Sequence, residues 1–273
     1  MARDENFPVA FLLAPRAVRA DMATIYRYCR VTDDIGDEGH GSPAQRLAAL
    51  DAWEDDLRRA VAGGGAPEPL AGLAPVIARH SLPLDPFLRL IEANRMDQRR
   101  SRWETGDELI DYCRHSATPV GEMVLGVLGY RDPWRIAMSD STCAGLQLVN
   151  VWQDISRDLR DRGRVYLPAE AMERHGVRED DLRRPSASPA VRALVAEQVG
   201  IARGLLLVGE PLHRFVPARV ALDVRMFSIG GLALCAAIAR QDHDTLAHRP
   251  APGALGRARI AATALRLLAG GGR

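Results

Sequence analysis

Apolar residues recur along most of this chain at the three- and four-residue intervals of a helix facing a core, and the two-residue alternation of a half-buried strand is nearly absent. The punctuation agrees with that period. Asp132-Pro133 reads as an N-cap followed by proline at the first helical position, and Gly163 closes the same segment. Ser188-Pro189 opens a helix running to about Gly209, Ser42-Pro43 opens one through Trp53, and Asp107 caps one beginning with Glu108. The Gly63-Gly64-Gly65-Ala66-Pro67 stretch and residues 184–189 are turns too short to link domains. The pattern predicts one all-α domain of about ten helices over residues 1–273, with a peripheral tail after about residue 252.

Composition narrows the function classes. A chain of 273 residues that is 47% hydrophobic can bury a sizeable core. Its 36 basic residues, every one an arginine, balance 35 acidic ones to a net charge of +1, without the basic excess of a nucleic-acid binder. The missing lysine fits a genome-wide codon bias better than a functional demand. Cys29, Cys113, Cys143 and Cys235 form no CxxC pair, so neither a zinc site nor a redox dithiol is expected, and a disulfide framework is not expected at this length. The N-terminus lacks the apolar run of a signal peptide. The longest uncharged apolar stretch, Met226 to Ala239, has 14 residues, short of the roughly 20 that span a bilayer. A cytoplasmic protein without a membrane span is the expectation.

Two segments break the core pattern with acids. Tyr26, Arg30, Asp33 and Asp37 stand at i, i+4, i+7 and i+11, the spacing a buried helix fills with Leu and Val. Like charges four residues apart repel, so Asp33 and Asp37 call for a cation, although one such stripe alone also fits a solvated, salt-bridged face. In the second segment Gln147, Asn150, Asp154 and Asp158 share one helical face, within about 80° of arc, beside an apolar stripe of Leu148, Trp152, Ile155 and Leu159. So apolar a neighbourhood places this carboxamide and carboxylate row on an interior cavity. Paired hard-oxygen donors suit magnesium, which takes few carboxylates, keeps waters and completes its shell with substrate phosphate oxygens. Calcium is disfavoured because no EF-type loop is present, and a di-iron bundle because it calls for two Glu-x-x-His pairs and the chain holds a single one, Glu210-Pro211-Leu212-His213.

These motifs resemble the squalene/phytoene synthase family of isoprenyl condensing enzymes. Its first motif, D-D-x-x-D after Y-x-x-C/A-R, is matched by Tyr26, Arg30, Asp33, Asp34 and Asp37, and its second, N-x-x-x-D-x-x-x-D, by Asn150, Asp154 and Asp158. A trailing R-x-Y-L-P is matched by Arg164, Tyr166, Leu167 and Pro168. The resemblance runs from Glu5 to about Ala239 and implies an isoprenoid synthase-like helical bundle around a central cavity. Three departures are similar to one branch, the bacterial hydroxysqualene synthases of the hopanoid route. They are Glu5-Asn6-Phe7-Pro8-Val9-Ala10 near the start, Ser116-Ala117-Thr118-Pro119-Val120-Gly121 after Tyr112, and Gln153 before the first aspartate of the second motif.

The resemblance implies a magnesium-dependent enzyme that converts presqualene diphosphate and water to hydroxysqualene and diphosphate. Asp33, Asp37, Asn150, Asp154 and Asp158 would hold two or three Mg²⁺ with the diphosphate, and no NADPH is expected. Asp34, off that face of the wheel, divides evenly between supporting the site and simple solvation. Arg30 and Arg164 would clamp the diphosphate, with Gln147 among the substrate contacts. Tyr26 and Tyr166 would donate hydrogen bonds to it or steer a carbocation with their ring faces, and each also fits a half-buried core tyrosine. Pro119 would break its helix at the cavity, Gly121 would allow close backbone approach, and Tyr112 or Ser116 would hold the attacking water. Trp103, Met123, Trp152 and Phe227 would wall an apolar channel, and Gly230-Gly231 would make room for substrate or for a neighbouring helix. The nearest alternative is a head-to-head synthase condensing two farnesyl or geranylgeranyl diphosphates. One of another class is a non-catalytic prenyl-diphosphate-binding partner protein. The resemblance also admits contact with the presqualene diphosphate synthase and the hydroxysqualene reductase of the same pathway, and peripheral contact with the inner membrane face.

Overall fold

Every element that carries the two acidic motifs is helical or a helical turn. The computed structural model describes residues 16–38 and 41–253, so the Glu5–Ala10 segment and the tail beyond residue 253 lie outside the described residues. In chain order the helices are α1 (Arg16–Asp33), α2 (Pro43–Val61), α3 (Leu70–His80), α4 (Asp85–Arg99), α5 (Gly106–Ser116) and α6 (Thr118–Val127). There follow α7 (Pro133–Gln153), α8 (Ile155–Arg162), α9 (Ala169–Arg174), α10 (Glu179–Leu182), α11 (Pro189–Gly209) and α12 (Ala218–Arg240). A π-helical turn, Asp34–Glu38, continues α1, and a 3₁₀ turn, Glu210–Phe215, leads out of α11. Among the described residues there is no strand, only an isolated bridge between Arg102 and Val165.

The capping signals operate as physical chemistry requires, with two shifts. Ser42 accepts a hydrogen bond from the Gln45 amide (3.4 Å) and Gln45 Oε1 accepts one from the Ser42 amide (2.8 Å), a reciprocal box that opens α2. Ser188 caps α11 by accepting a single hydrogen bond from the Val191 amide at 3.3 Å. For α5 the cap is not Asp107. The helix begins at Gly106, which puts Asp107 inside the first turn, and Thr105 Oγ1 accepts from the Glu108 amide at 3.2 Å instead. The segment from Pro133 to Gly163 is two helices rather than one, interrupted at Asp154 (φ −105°, ψ 15°) and closed at Gly163 in a left-handed conformation (φ 64°).

Two compact units share the described chain. The N-terminal unit holds the described residues up to Arg100 together with Arg114–Asp140, and the C-terminal unit holds Ser101–Cys113 and the residues from Ser141 on. In the N-terminal unit Tyr28 is fully buried between Trp53 (stacked, 6.0 Å) and Phe87 (edge-on, 5.3 Å). Its hydroxyl donates to the Phe87 carbonyl at 2.8 Å, and the Trp53 indole donates to Thr32 at 2.9 Å, so α1, α2 and α4 are pinned by satisfied polar groups inside an apolar core.

The C-terminal unit is built on close approach of α7, α11 and α12. A Cβ on Gly145 would lie 2.8 Å from the Leu206 side chain and 3.0 Å from the Ala202 carbonyl, and one on Gly231 would lie 2.8 Å from Leu206. Gly231 therefore makes room for a neighbouring helix, one of the two uses expected of it. Counting only uncharged residues understated α12. Its Val220–Arg240 stretch, 21 residues, is long and apolar enough to cross a membrane, and its most apolar window is half buried against the protein.

Candidate active site

The first acidic motif sits where α1 turns into the π helix. Asp33 ends α1, while Asp34 and Asp37 belong to the wider π turn, so the ideal 3.6-residue wheel that aligned Asp33 with Asp37 does not extend past Asp33. The turn is held from α4. Asn94 donates to Asp33 Oδ1 (3.3 Å) and to the Leu90 carbonyl (3.1 Å), and Gln98 donates to the Gly36 carbonyl (3.0 Å). Gly36 is required here, because a Cβ would fall 2.0 Å from Asn94 Oδ1. Asp33 is exposed at its own surface yet crowded by surrounding protein. That crowding pushes its carboxyl up to about 6; the Asn94 amide and Arg30 act in the opposite sense, while Asp37 and Asp34 add to the rise. Arg30 bonds Asp34 Oδ1 at 3.2 Å, a half-exposed pair one helical turn apart. Tyr26 is half-buried on the same helix.

The second motif straddles the junction of α7 and α8. Helical hydrogen bonding runs through the interruption, from the Asp154 amide to the Asn150 carbonyl (3.1 Å) and from the Asp158 amide to the Asp154 carbonyl (2.8 Å). Asn150, Asp154 and Asp158 therefore keep successive-turn spacing, with Gln147 half-buried one turn earlier. Asp158 is buried, and desolvation pushes its carboxyl up to about 6; Arg162 opposes the rise, Asp154 adds to it, and Arg164 also opposes it. Each acid has a guanidinium partner. Arg162 reaches Asp158 Oδ1 at 3.1 Å, and Arg249 forks onto Asp154 with contacts of 2.6 and 3.0 Å. Buried Gln153 donates to the Pro250 carbonyl. Downstream, Arg164 and Tyr166 are both buried. Tyr166 stacks on Trp103 at 4.4 Å, and Tyr112 meets Trp103 edge-on at 5.2 Å, so these rings form one aromatic cluster in the C-terminal unit.

Pro119 marks a true helix break rather than a kink. Helix α5 stops at Ser116, Ala117 leaves helical geometry (φ −131°, ψ −47°), and α6 starts with Pro119 in its first turn, where the missing N–H costs nothing. Ser116, at the end of α5, has a buried hydroxyl without a hydrogen-bond partner. Gly121 is buried in the first turn of α6.

The donor chemistry fits a small, hard dication. Each motif offers carboxylates spaced along one helical run, and in each one acid is held high both by desolvation and by its acidic neighbour, a strain that a bound cation relieves. Among the described residues, no three His, Cys, Asp or Glu side chains by themselves converge as a ready-made metal cage. Such a donor set suits an ion whose shell is completed by water and phosphate oxygens. Sequence patterning missed Asn94, Gln98 and Arg249. The first two carried a signal, polar residues at i and i+4 on an otherwise apolar helix face; Arg249 carried none, being one arginine among many.

The described residues thus combine a helical architecture with a D-D-x-x-D turn and an N-x-x-x-D-x-x-x-D run, the two motifs expected of an isoprenoid synthase-like bundle. The sequence profile described as Squalene/phytoene synthase matches residues 1–259, and the chain belongs to that family. It is 39% identical over 183 residues to a hydroxysqualene synthase of Sinorhizobium fredii, covering 67% of this chain and 61% of that protein. It is 38% identical over 213 residues to one of Rhodopseudomonas palustris, covering 77% and 70% respectively. The alignments thus span about two thirds of these relatives. Among solved structures, squalene synthase HpnC from Alicyclobacillus acidocaldarius superposes with a TM-score of 0.81 at 45% identity, over 86% of this chain and 88% of that one. A dehydrosqualene synthase superposes with a TM-score of 0.85 at 21% identity, over 98% and 93%, which supports the fold.

Proposed function

We propose that this chain is a magnesium-dependent hydroxysqualene synthase acting on presqualene diphosphate. Similarity to proteins named for that activity carries the reading: hydroxysqualene synthases match at 38–39% identity, against 32–35% for the phytoene synthases found alongside them. In the reaction the C–O bond to diphosphate breaks, with the electron pair leaving on diphosphate. The cyclopropylcarbinyl cation rearranges, and a water oxygen bonds to carbon and loses a proton. Magnesium supplies charge neutralisation on the leaving group. Asp33 and Asp37 in one motif, and Asn150, Asp154 and Asp158 in the other, are its donors in this reading. Arg30 and Arg164 grip diphosphate oxygens, with Gln147 beside them. Tyr26, Tyr166 and Tyr112 present ring faces or hydroxyls to the developing cation. Ser116 holds the attacking water. Its buried hydroxyl lacks a protein partner, and a water would satisfy it at the break that Pro119 creates, close in sequence to Gly121.

The test is product analysis. Purified protein with Mg²⁺ is given presqualene diphosphate in one reaction and farnesyl diphosphate in another. Hydroxysqualene from the first and no C30 product from the second is the expected result. Squalene, phytoene or presqualene diphosphate formed from simple prenyl diphosphates would overturn it in favour of a condensing synthase. Binding of presqualene diphosphate without turnover would favour a non-catalytic partner protein.

A further inference from the structure

The segment after α12 is built as an anchored strap. It leaves the helix through Asp242 and His243, both in left-handed backbone conformations (φ 50° and 58°) that non-glycine residues seldom adopt. Asp244 then fixes its base. One carboxylate oxygen accepts the amides of Ala187 (3.0 Å), Leu246 (3.2 Å) and Ala247 (3.1 Å), and the other meets Arg192 Nη2 at 3.0 Å. Arg192 also holds Asp242 at 2.6 Å. Beyond this node the chain reaches back to the α7–α8 junction. There the Pro250 carbonyl accepts from Gln153, and the Arg249 guanidinium forks onto both oxygens of Asp154.

Three features make that fork more than a surface ion pair. It engages both oxygens of Asp154, whose side chain is only 17% exposed. Its cation comes from a segment 95 residues away, whereas Arg162 sits on the same helix as Asp158 and moves with it. A guanidinium also keeps its proton at any physiological pH, so only another cation can replace it.

We propose that Arg249 is the resident counter-cation of the second acidic motif. It occupies Asp154 until a divalent ion claims that carboxylate, and its displacement loosens the tip of the strap, where Gln153 still donates to the Pro250 carbonyl, while the Asp244 node holds the base. The inference rests on the metal reading of Asp154 given above. It adds that cation binding is read out as a chain movement, and that the protein without metal holds its own inhibitor of metal binding.

Mn²⁺ alone, followed by electron paramagnetic resonance on the full chain without substrate, provides the test. Arg249→Gln is expected to bind Mn²⁺ roughly fivefold more tightly than the parent, the scale of a partly screened ion pair. Arg249→Lys, which keeps the charge but loses the fork, falls between them. Backbone hydrogen exchange at His248 and Arg249 is expected to quicken when Mn²⁺ is added to the parent protein. In Arg249→Gln it is already fast and does not respond. Unchanged or weaker Mn²⁺ binding by a folded Arg249→Gln protein, or exchange insensitive to Mn²⁺ in the parent, would overturn the proposal. Asp154→Asn separates the two layers. If Mn²⁺ binding survives that change, the metal reading of Asp154 fails and the strap proposal fails with it. If binding is lost but Arg249→Gln does not tighten it, only the strap proposal fails.

Discussion

The two acidic motifs solve the same electrostatic problem in opposite ways. In the N-terminal unit, Asp33 is solvent-exposed and steadied by a neutral amide from Asn94, while the nearest arginine, Arg30, bonds Asp34. In the C-terminal unit, Asp154 and Asp158 are each held by a guanidinium, one local and one delivered by a distant strap. An amide can orient a carboxylate without neutralising it, so Asp33 keeps its negative charge on offer. A guanidinium neutralises, so on the metal reading proposed above Asp154 exchanges partners before it takes a dication. Both acids with raised values, Asp33 and Asp158, reach about 6 with desolvation as the leading cause, yet only the second has a directly bonded arginine opposing it.

Removing either carboxylate tests whether the motifs share one task. Asp33→Ala and Asp154→Ala are each expected to lower kcat/KM on the order of 10²–10³-fold, the usual cost of losing a group that stabilises developing charge. Full activity in either variant, measured with presqualene diphosphate and Mg²⁺, would reduce the comparison to a single working motif. Gly36→Ala attacks the first motif through its support. The new methyl collides with Asn94, so a loss of about 1–3 kcal/mol in denaturant unfolding is expected. Activity should fall with it, while the strap amides of His248 and Arg249 keep their parental hydrogen exchange.

Asp140 gives a baseline for a desolvated acid outside both motifs. Burial and the nearby Glu122 push its carboxyl up to about 6, and one of its oxygens lacks a partner. A carboxyl whose value is higher folded than unfolded binds more protons in the native state, so it costs stability as pH rises from about 4 through about 6. Asp140→Asn is therefore expected to stabilise by about 1 kcal/mol at pH 7, after allowance for solvent screening, with the gain vanishing below about pH 4. Thermal melts across that range measure it. The smallest effect is expected from Ser116→Ala, a change of about 1 kcal/mol or less in stability because the hydroxyl has no protein bond to lose. A shift of product away from hydroxysqualene in that variant would tie the hydroxyl to water capture.

Helix-scale structure was legible wherever one local rule decided it. Ser42, Ser188 and Gly163 act where their residue types predict, because a cap depends on a few neighbouring backbone groups. Asp107 gave way to Thr105 because the two offer the same chemistry two residues apart. The π turn was not legible, since a wheel drawn at one fixed period cannot register a local change of period. The break at Asp154 stayed hidden because hydrogen bonding passes through it with the same four-residue step. The residue types at both motifs were readable; Asn94 showed only as a polar break in an apolar face and Arg249 not at all, because each pairs with its aspartate across a long stretch of chain.

The π turn has a consequence for chain length. A π-helical turn closes its hydrogen bonds over one more residue than an α-helical turn, so Asp34–Glu38 in effect carries one inserted position. Deleting Ile35 would remove that position and let the backbone close as an ordinary helix, so the residues after the turn keep their direction while the spacing within it changes. The interval from Asp33 to Asp37 would shorten from four residues to three, and the wide turn that offers the Gly36 carbonyl to Gln98 would be lost. The interval between the aspartates acts as a ruler, and a one-residue gap there is a heavier lesion than many substitutions.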